Sequence, residues 1–163
     1  MLDINNLPSE YRLIKTFPNY FGPQKLMHII EGKDSLIFFN ESKLNEAQQA
    51  FLKKSVIQST FSLPLSSLDW VVDVIENGFM KLPSEGGLSA DTRHVKNSFD
   101  KQELKVRFSP NCLAEGEKGI TLINLSIPDD VSSYTELQLP YMSLLEQGIL
   151  AELKRIAQNY KNA

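Results

Sequence analysis

One stretch, Ser66-Ser67-Leu68-Asp69-Trp70-Val71-Val72-Asp73-Val74-Ile75-Glu76-Asn77-Gly78-Phe79, constrains the fold more than any other. At about 100° per residue, its carboxylates Asp69, Asp73 and Glu76 fall in one narrow stripe. Leu68, Trp70, Val71, Val72, Val74, Ile75 and Phe79 take most of the remaining circumference. A helix so apolar must be covered on more than one side. Its valines and isoleucine lose side-chain freedom in a helix, so packing has to hold it. Ser66 or Ser67 offers an N-terminal cap, with Asp69 three residues after Ser66 as in a capping box. Asn77-Gly78 offers the stop, through a left-handed glycine. The spacing predicts a helix over 66–77, wet only along its acidic edge.

The chain has 163 residues, the size of one globular domain. Folding at this length buries about 70% of the unfolded surface, enough for a core without metals or disulfides. The net charge of −3 argues against a dedicated polyanion binder, although a local patch can outvote the total. The single cysteine, Cys112, has no internal disulfide partner. No apolar run approaches the ~20 residues that span a bilayer. The N-terminus carries no basic segment followed by an apolar one, so the expected location is cytoplasmic, away from membranes.

In chain order, 11–17 fits a strand or a short helix that Pro18 ends. Phe17, Tyr20 and Phe21 then read as an aromatic cluster laid over the core. Residues 24–30 and 35–39 form a hairpin whose strands are apolar on both faces, which suits the inside of a sheet. Gly32 fits the first central position of its turn. Residues 42–58 read as a helix capped by Ser42, with Leu44, Ala47, Phe51, Leu52 and Val56 at helical spacing. Residues 83–100 read as one long loop, and loops of that length are often functional. Residues 102–110 alternate cleanly, with Leu104, Val106 and Phe108 on the buried side. Their partner is 119–127, with a bulge near Leu122. Residues 141–160 read as a terminal helix with an apolar stripe notched by Gly148. The fold class is α+β: a single domain with an antiparallel sheet from two hairpins, about 24–39 and 102–127, packed by helices about 42–58, 66–77 and 141–160.

No catalytic or binding motif stands out. Asp69, Asp73 and Glu76 have the spacing to share a cation, and also the spacing of a solvated stripe. His94, Cys112 and Asp91 have the residue types of a thiol nucleophile, base and orienting carboxylate, without a local signature. His28 reads as a core histidine with one hydrogen bond. Gly86-Gly87 lacks the residues of a phosphate loop and reads as flexible backbone. Arg93, His94, Lys96, Lys101, Lys105 and Arg107 form the most basic region, but acidic neighbours dilute it and argue against nucleic acid.

These features point to a non-catalytic binding protein without metal or cofactor. It holds a protein or small ligand at 83–100 and the adjacent sheet, through Glu85, Asp91, Arg93, His94 and Lys96. The C-terminal stripe points to a homodimer. The alternatives are a small metal-assisted or thiol hydrolase, using Asp69, Asp73 and Glu76 or the Cys112 group, and a nucleic-acid-binding accessory protein.

Overall fold

The computed structural model describes residues 2–19, 22–113, 115–127 and 133–163. It is an α+β fold, as expected, with two four-stranded antiparallel sheets, each of which contains one of the two expected hairpins. The chain clusters into two compact units. The first comprises Met1–Ser62 and Ile127–Tyr134, the second Leu63–Ser126 and Thr135–Ala163.

The first sheet has strands β1 (Arg12–Asn19), β2 (Gly22–Glu31), β3 (Ser35–Lys43) and β4 (Val56–Pro64), each beside its chain neighbour. The doubly apolar strands β2 and β3 are the central pair, as their pattern requires. Segment 11–17 resolves as a strand. Pro18 does not end it, because β1 is an edge strand and an edge tolerates a residue that donates no ladder hydrogen bond. Phe17 is buried on β1, while Tyr20 and Phe21 lie outside the described residues. The β2–β3 turn centres on Lys33-Asp34, since the Gly32 N–H donates to the Ser35 carbonyl. Gly32 serves a different need: a Cβ there would come within 3.0 Å of the Tyr11 ring.

The expected helix over 42–58 shrinks to α1 (Glu46–Leu52). Its cap is Asn45, not Ser42, and Asn45 and Gln48 exchange side-chain-to-backbone hydrogen bonds. None of its residues is buried, and Phe51 is 85% exposed. The apolar residues that suggested a longer helix therefore serve two different elements. Val56 and Ile57 already belong to β4, where Phe61 and Leu63 are buried and Gln58, Thr60 and Ser62 alternate to the other face.

The second sheet has β5 (His94–Phe99), β6 (Gln102–Cys112), β7 (Glu117–Asn124) and β8 (Glu136–Pro140). Leu104 and Val106 are buried on β6 as their alternation predicts. The expected bulge at Leu122 is absent, because β7 lies between β6 and β8 and is buried on both faces from Gly119 to Asn124. The register shift falls instead between Ser109 and Cys112.

The same unit holds helices α2 (Leu68–Asp73), α3 (Tyr141–Leu145) and α4 (Ile149–Asn162), with α3 packed on β7 and β8 and α4 packed on α2 and α3. A 3-10 turn over Leu65–Ser67 opens α2 and a π-helical turn over Val74–Phe79 continues it. Leu68, Val71, Val72, Val74 and Ile75 are buried as expected, and Trp70 is half-buried with its ring 5.6 Å from that of Phe99. Neither serine caps the helix. Ser67 donates to the Pro64 carbonyl and Ser66 donates to Asp100. Gly78 is not a left-handed stop. It sits inside the π turn, where its carbonyl accepts from the Leu88 N–H and a Cβ would meet the Leu88 side chain at 3.1 Å.

The C-terminal stretch is two helices rather than one. Gly148 takes φ +78°, a conformation that breaks the helix and that glycine adopts without a Cβ penalty. It is a break, not a notch, since a Cβ there meets nothing within 4 Å. The stripe Ile149, Leu150, Leu153, Ile156 and Ala157 is buried in this unit, where α4 packs on α2. Of the remaining residues of the expected stripe, Leu144 is buried, while Leu145 and Tyr160 are exposed.

Candidate functional site

The long loop expected over 83–100 is mostly structured. A 3-10 turn covers Pro83–Glu85. Gly86 follows at φ +93°, and Gly87 passes so close to the Lys81 backbone that a Cβ could not fit. The glycine pair is therefore a geometric requirement, not a flexible link. Thr92 closes a turn on Ser89 through its N–H, and the two hydroxyls lie 2.6 Å apart. From His94 the chain is strand β5.

The β5–β6 turn is Asp100-Lys101, with φ of 49° and 64°. Two consecutive left-handed residues make the type I′ hairpin turn, whose twist matches the strands it joins. Asn-Gly or Asp-Gly usually marks it, and here a lysine takes the second position. The Asp100 carboxylate accepts from the Ser66 hydroxyl at 2.9 Å, which ties the turn to the start of the helix.

The register builds a basic outer face. His94 stands opposite Arg107, Lys96 opposite Lys105 and Ser98 opposite Glu103. On the opposite face Phe99 meets Trp70, and Phe108 on β6 stacks with Phe79 at 6.4 Å. Arg107 reaches Glu136 of β8 at 3.6 Å. His94, Lys96 and Lys105 have no ion-pair partner among the described residues. Like charges directly opposite on a sheet repel, so the Lys96–Lys105 pair costs the fold stability.

Of the expected site residues, the structure brings together His94 and Lys96 on one strand face, with Arg93 just before them. Arg93 is tied to β6 by its carbonyl, which accepts from the Phe108 N–H. Glu85 and Asp91 lie in the preceding turns and share no hydrogen bond or ion pair with these basic residues. Glu85 instead lies 3.4 Å from the Leu82 N–H.

The acidic stripe is occupied by its own chain. Glu76 pairs with Lys154 at 2.7 Å, Asp69 with Lys161 at 3.4 Å, and Asp73 accepts from Asn77. It joins α2 and its π-helical extension to α4. No group of three potential ligands that could hold a metal occurs among the described residues. The thiol group does not assemble either. Cys112 lies five residues beyond Arg107, the residue opposite His94, which at about 3.3 Å per residue is roughly 16 Å along the strand. Cys112 is fully buried, and burial pushes its thiol pKa up, opposed by a hydrogen bond from Ser109. Tyr141 is also pushed up, by burial and then by the nearby Cys112.

The first unit holds a polar group that the sequence does not reveal. His28 is 5% exposed, with Nε2 2.6 Å from Glu41 Oε1 and Nδ1 2.7 Å from the Thr16 hydroxyl. Gln58 donates from Nε2 to the other Glu41 oxygen at 3.2 Å. The expected single hydrogen bond of His28 is thus one link in a relay across four strands. No helix among the described residues is long and apolar enough to cross a membrane. Compared with known proteins, the chain matches no family model, no curated protein and no solved structure.

Proposed function

We propose that this chain is a non-catalytic binding protein whose β5–β6 outer face holds an anionic partner. The observation that carries this reading is the unpaired Lys96–Lys105 opposition. That cross-strand repulsion, which Glu103 two residues along β6 dilutes without pairing with either lysine, is relieved when an anion sits between the two ammonium groups. His94 and Arg107 extend the same face by one more cross-strand pair, so the footprint suits several anionic groups in a row. Local charge of this kind outvotes the weak negative total at short range, because salt screens the rest of the surface within about 10 Å.

The reading is tested by titrating a fluorescein-labelled poly-glutamate peptide and a labelled single-stranded oligonucleotide against the protein in low salt. Binding of either is expected to weaken as salt rises, and to fall at least tenfold in the Lys96→Ala/Lys105→Ala variant while the circular dichroism spectrum is kept. Which probe binds more tightly assigns the partner to acidic protein or nucleic acid. Failure of both to bind, or binding indifferent to salt and to the double substitution, overturns it. Sedimentation of the same samples reads out whether a second copy is the partner.

A further inference from the structure

We propose that the first unit carries a separate small-molecule site, a cavity on one face of β3 and β4 that takes a neutral heterocycle with an amide edge, a C=O beside an N–H. The site is independent of the anionic face and involves none of its residues. Strand alternation builds it: Ile37 and Phe39 on β3, and Gln58, Thr60 and Ser62 on β4, share one side of the sheet. Tyr11 and Ser133 also line it, the latter bridging in parallel to Thr60. The cavity is about 370 Å³, near the lower end for ligand pockets and suited to a single small ring system.

Its lining fixes the ligand class. Among the described residues it contains apolar side chains, hydroxyls and one carboxamide, and no acid or base. A charged ligand would leave water without a counter-charge, so a neutral one is favoured. The carboxamide is pre-set by the relay. An ionised carboxylate only accepts hydrogen bonds, so Glu41 must receive the Gln58 amino group. Glu41 is itself held by the His28 imidazole, and His28 by the Thr16 hydroxyl. Gln58 therefore keeps one orientation and presents its Oε1 and remaining N–H, an acceptor beside a donor. The complementary partner is a donor beside an acceptor, the amide edge of a pyrimidinedione or a lactam, with its flat face on the apolar side chains.

The probe is uracil, followed by two-dimensional amide NMR of the full chain, with 1,3-dimethyluracil and glucose as controls. Saturable shifts of the Gln58 side-chain amide are expected with uracil. Affinity should be at least tenfold weaker for the dimethyl compound, which has the same ring but no N–H donor. Gln58→Leu should lose uracil binding, and Glu41→Gln, which frees the carboxamide to flip, should weaken it. The methylated probe is read on the unaltered protein, so it decides even where a variant fails to fold. The absence of saturable uracil shifts, equal binding of dimethyluracil, or glucose binding in place of uracil overturns the proposal. None of these outcomes bears on the Lys96–Lys105 face.

Discussion

The β1–β4 sheet sets an imidazole, a carboxylate, a hydroxyl and a carboxamide on its face and joins them in a single chain of hydrogen bonds. The β5–β8 sheet, with the same neighbour-to-neighbour strand order, sets Lys96 against Lys105 and gives neither a partner among the described residues. Polar groups joined to each other hold one geometry and stabilise it. Like charges set against each other destabilise it, until salt screens them or a counter-charge sits between them. The difference separates a polar network whose members satisfy one another from a charged surface whose like charges oppose one another.

The comparison breaks most readily at His28. Replacing it with alanine leaves the Glu41 carboxylate and the Thr16 hydroxyl without their shared partner and opens a cavity beside Phe39. The expected loss is about 2–3 kcal/mol, from the unsatisfied groups and the void together. Urea denaturation with an unchanged slope checks it. A loss below about 0.5 kcal/mol, the range of an ordinary surface substitution, would mean that the relay is decorative and that the two sheets do not differ as argued.

Much of this contrast was not legible in the sequence, and the reasons are physical. His28 and Glu41 meet diagonally: His28 is opposite Phe39 and Glu41 is opposite Leu26. Only the register brings them together, and register is a property of the turn and the pairing. Strand β5 was hidden because His-Val-Lys-Asn-Ser-Phe has few apolar residues and its turn uses Lys101 where a glycine normally gives the signal. Strand β4 was hidden because Val56 and Ile57 continue a helical spacing begun by Phe51 and Leu52, which face solvent. What could be read was what burial on both faces imposes: the central pair β2 and β3, the alternating β6, and the buried valines and isoleucine of the Trp70 stretch. The basic residues at 93–107 were visible as a cluster. Their cross-strand opposition was not, because it depends on a turn that composition does not announce.

The second unit has one polar group that breaks its own pattern. The Tyr141 hydroxyl is buried and, among the described residues, has no hydrogen-bond partner. Removing it by Tyr141→Phe is expected to raise stability by about 1 kcal/mol, because an unsatisfied hydroxyl carries its full desolvation cost. Cys112 sharpens the point through pH. Its folded pKa lies above the unfolded value, so folding favours the neutral thiol. That contribution is fully present below the unfolded cysteine pKa of about 8.5 and is lost as pH rises through the folded value. Stability should therefore decline in alkaline solution, and less steeply in Cys112→Ala than in the parent chain. Thermal melts from neutral to alkaline pH measure the slope, and identical slopes would remove the thiol from the account.

The smallest effect tests the other half of the comparison most directly. Lys96→Gln keeps the aliphatic stem and removes the charge opposite Lys105. Loss of that repulsion should stabilise the chain by about 0.2–1 kcal/mol in low salt. The gain should vanish near 1 M salt, where the screening length is about 3 Å and the parent lysines no longer feel each other. A gain that survives high salt would come from strand propensity or packing, and the repulsion would not be its cause. The same substitution is expected to weaken binding of the anionic probe. A residue that destabilises the free protein yet strengthens a complex is retained for the complex, as the trade-off between stability and function requires. Stability and affinity moving in opposite directions at Lys96, against a loss of stability at His28, would establish that the two sheets use polarity for different ends.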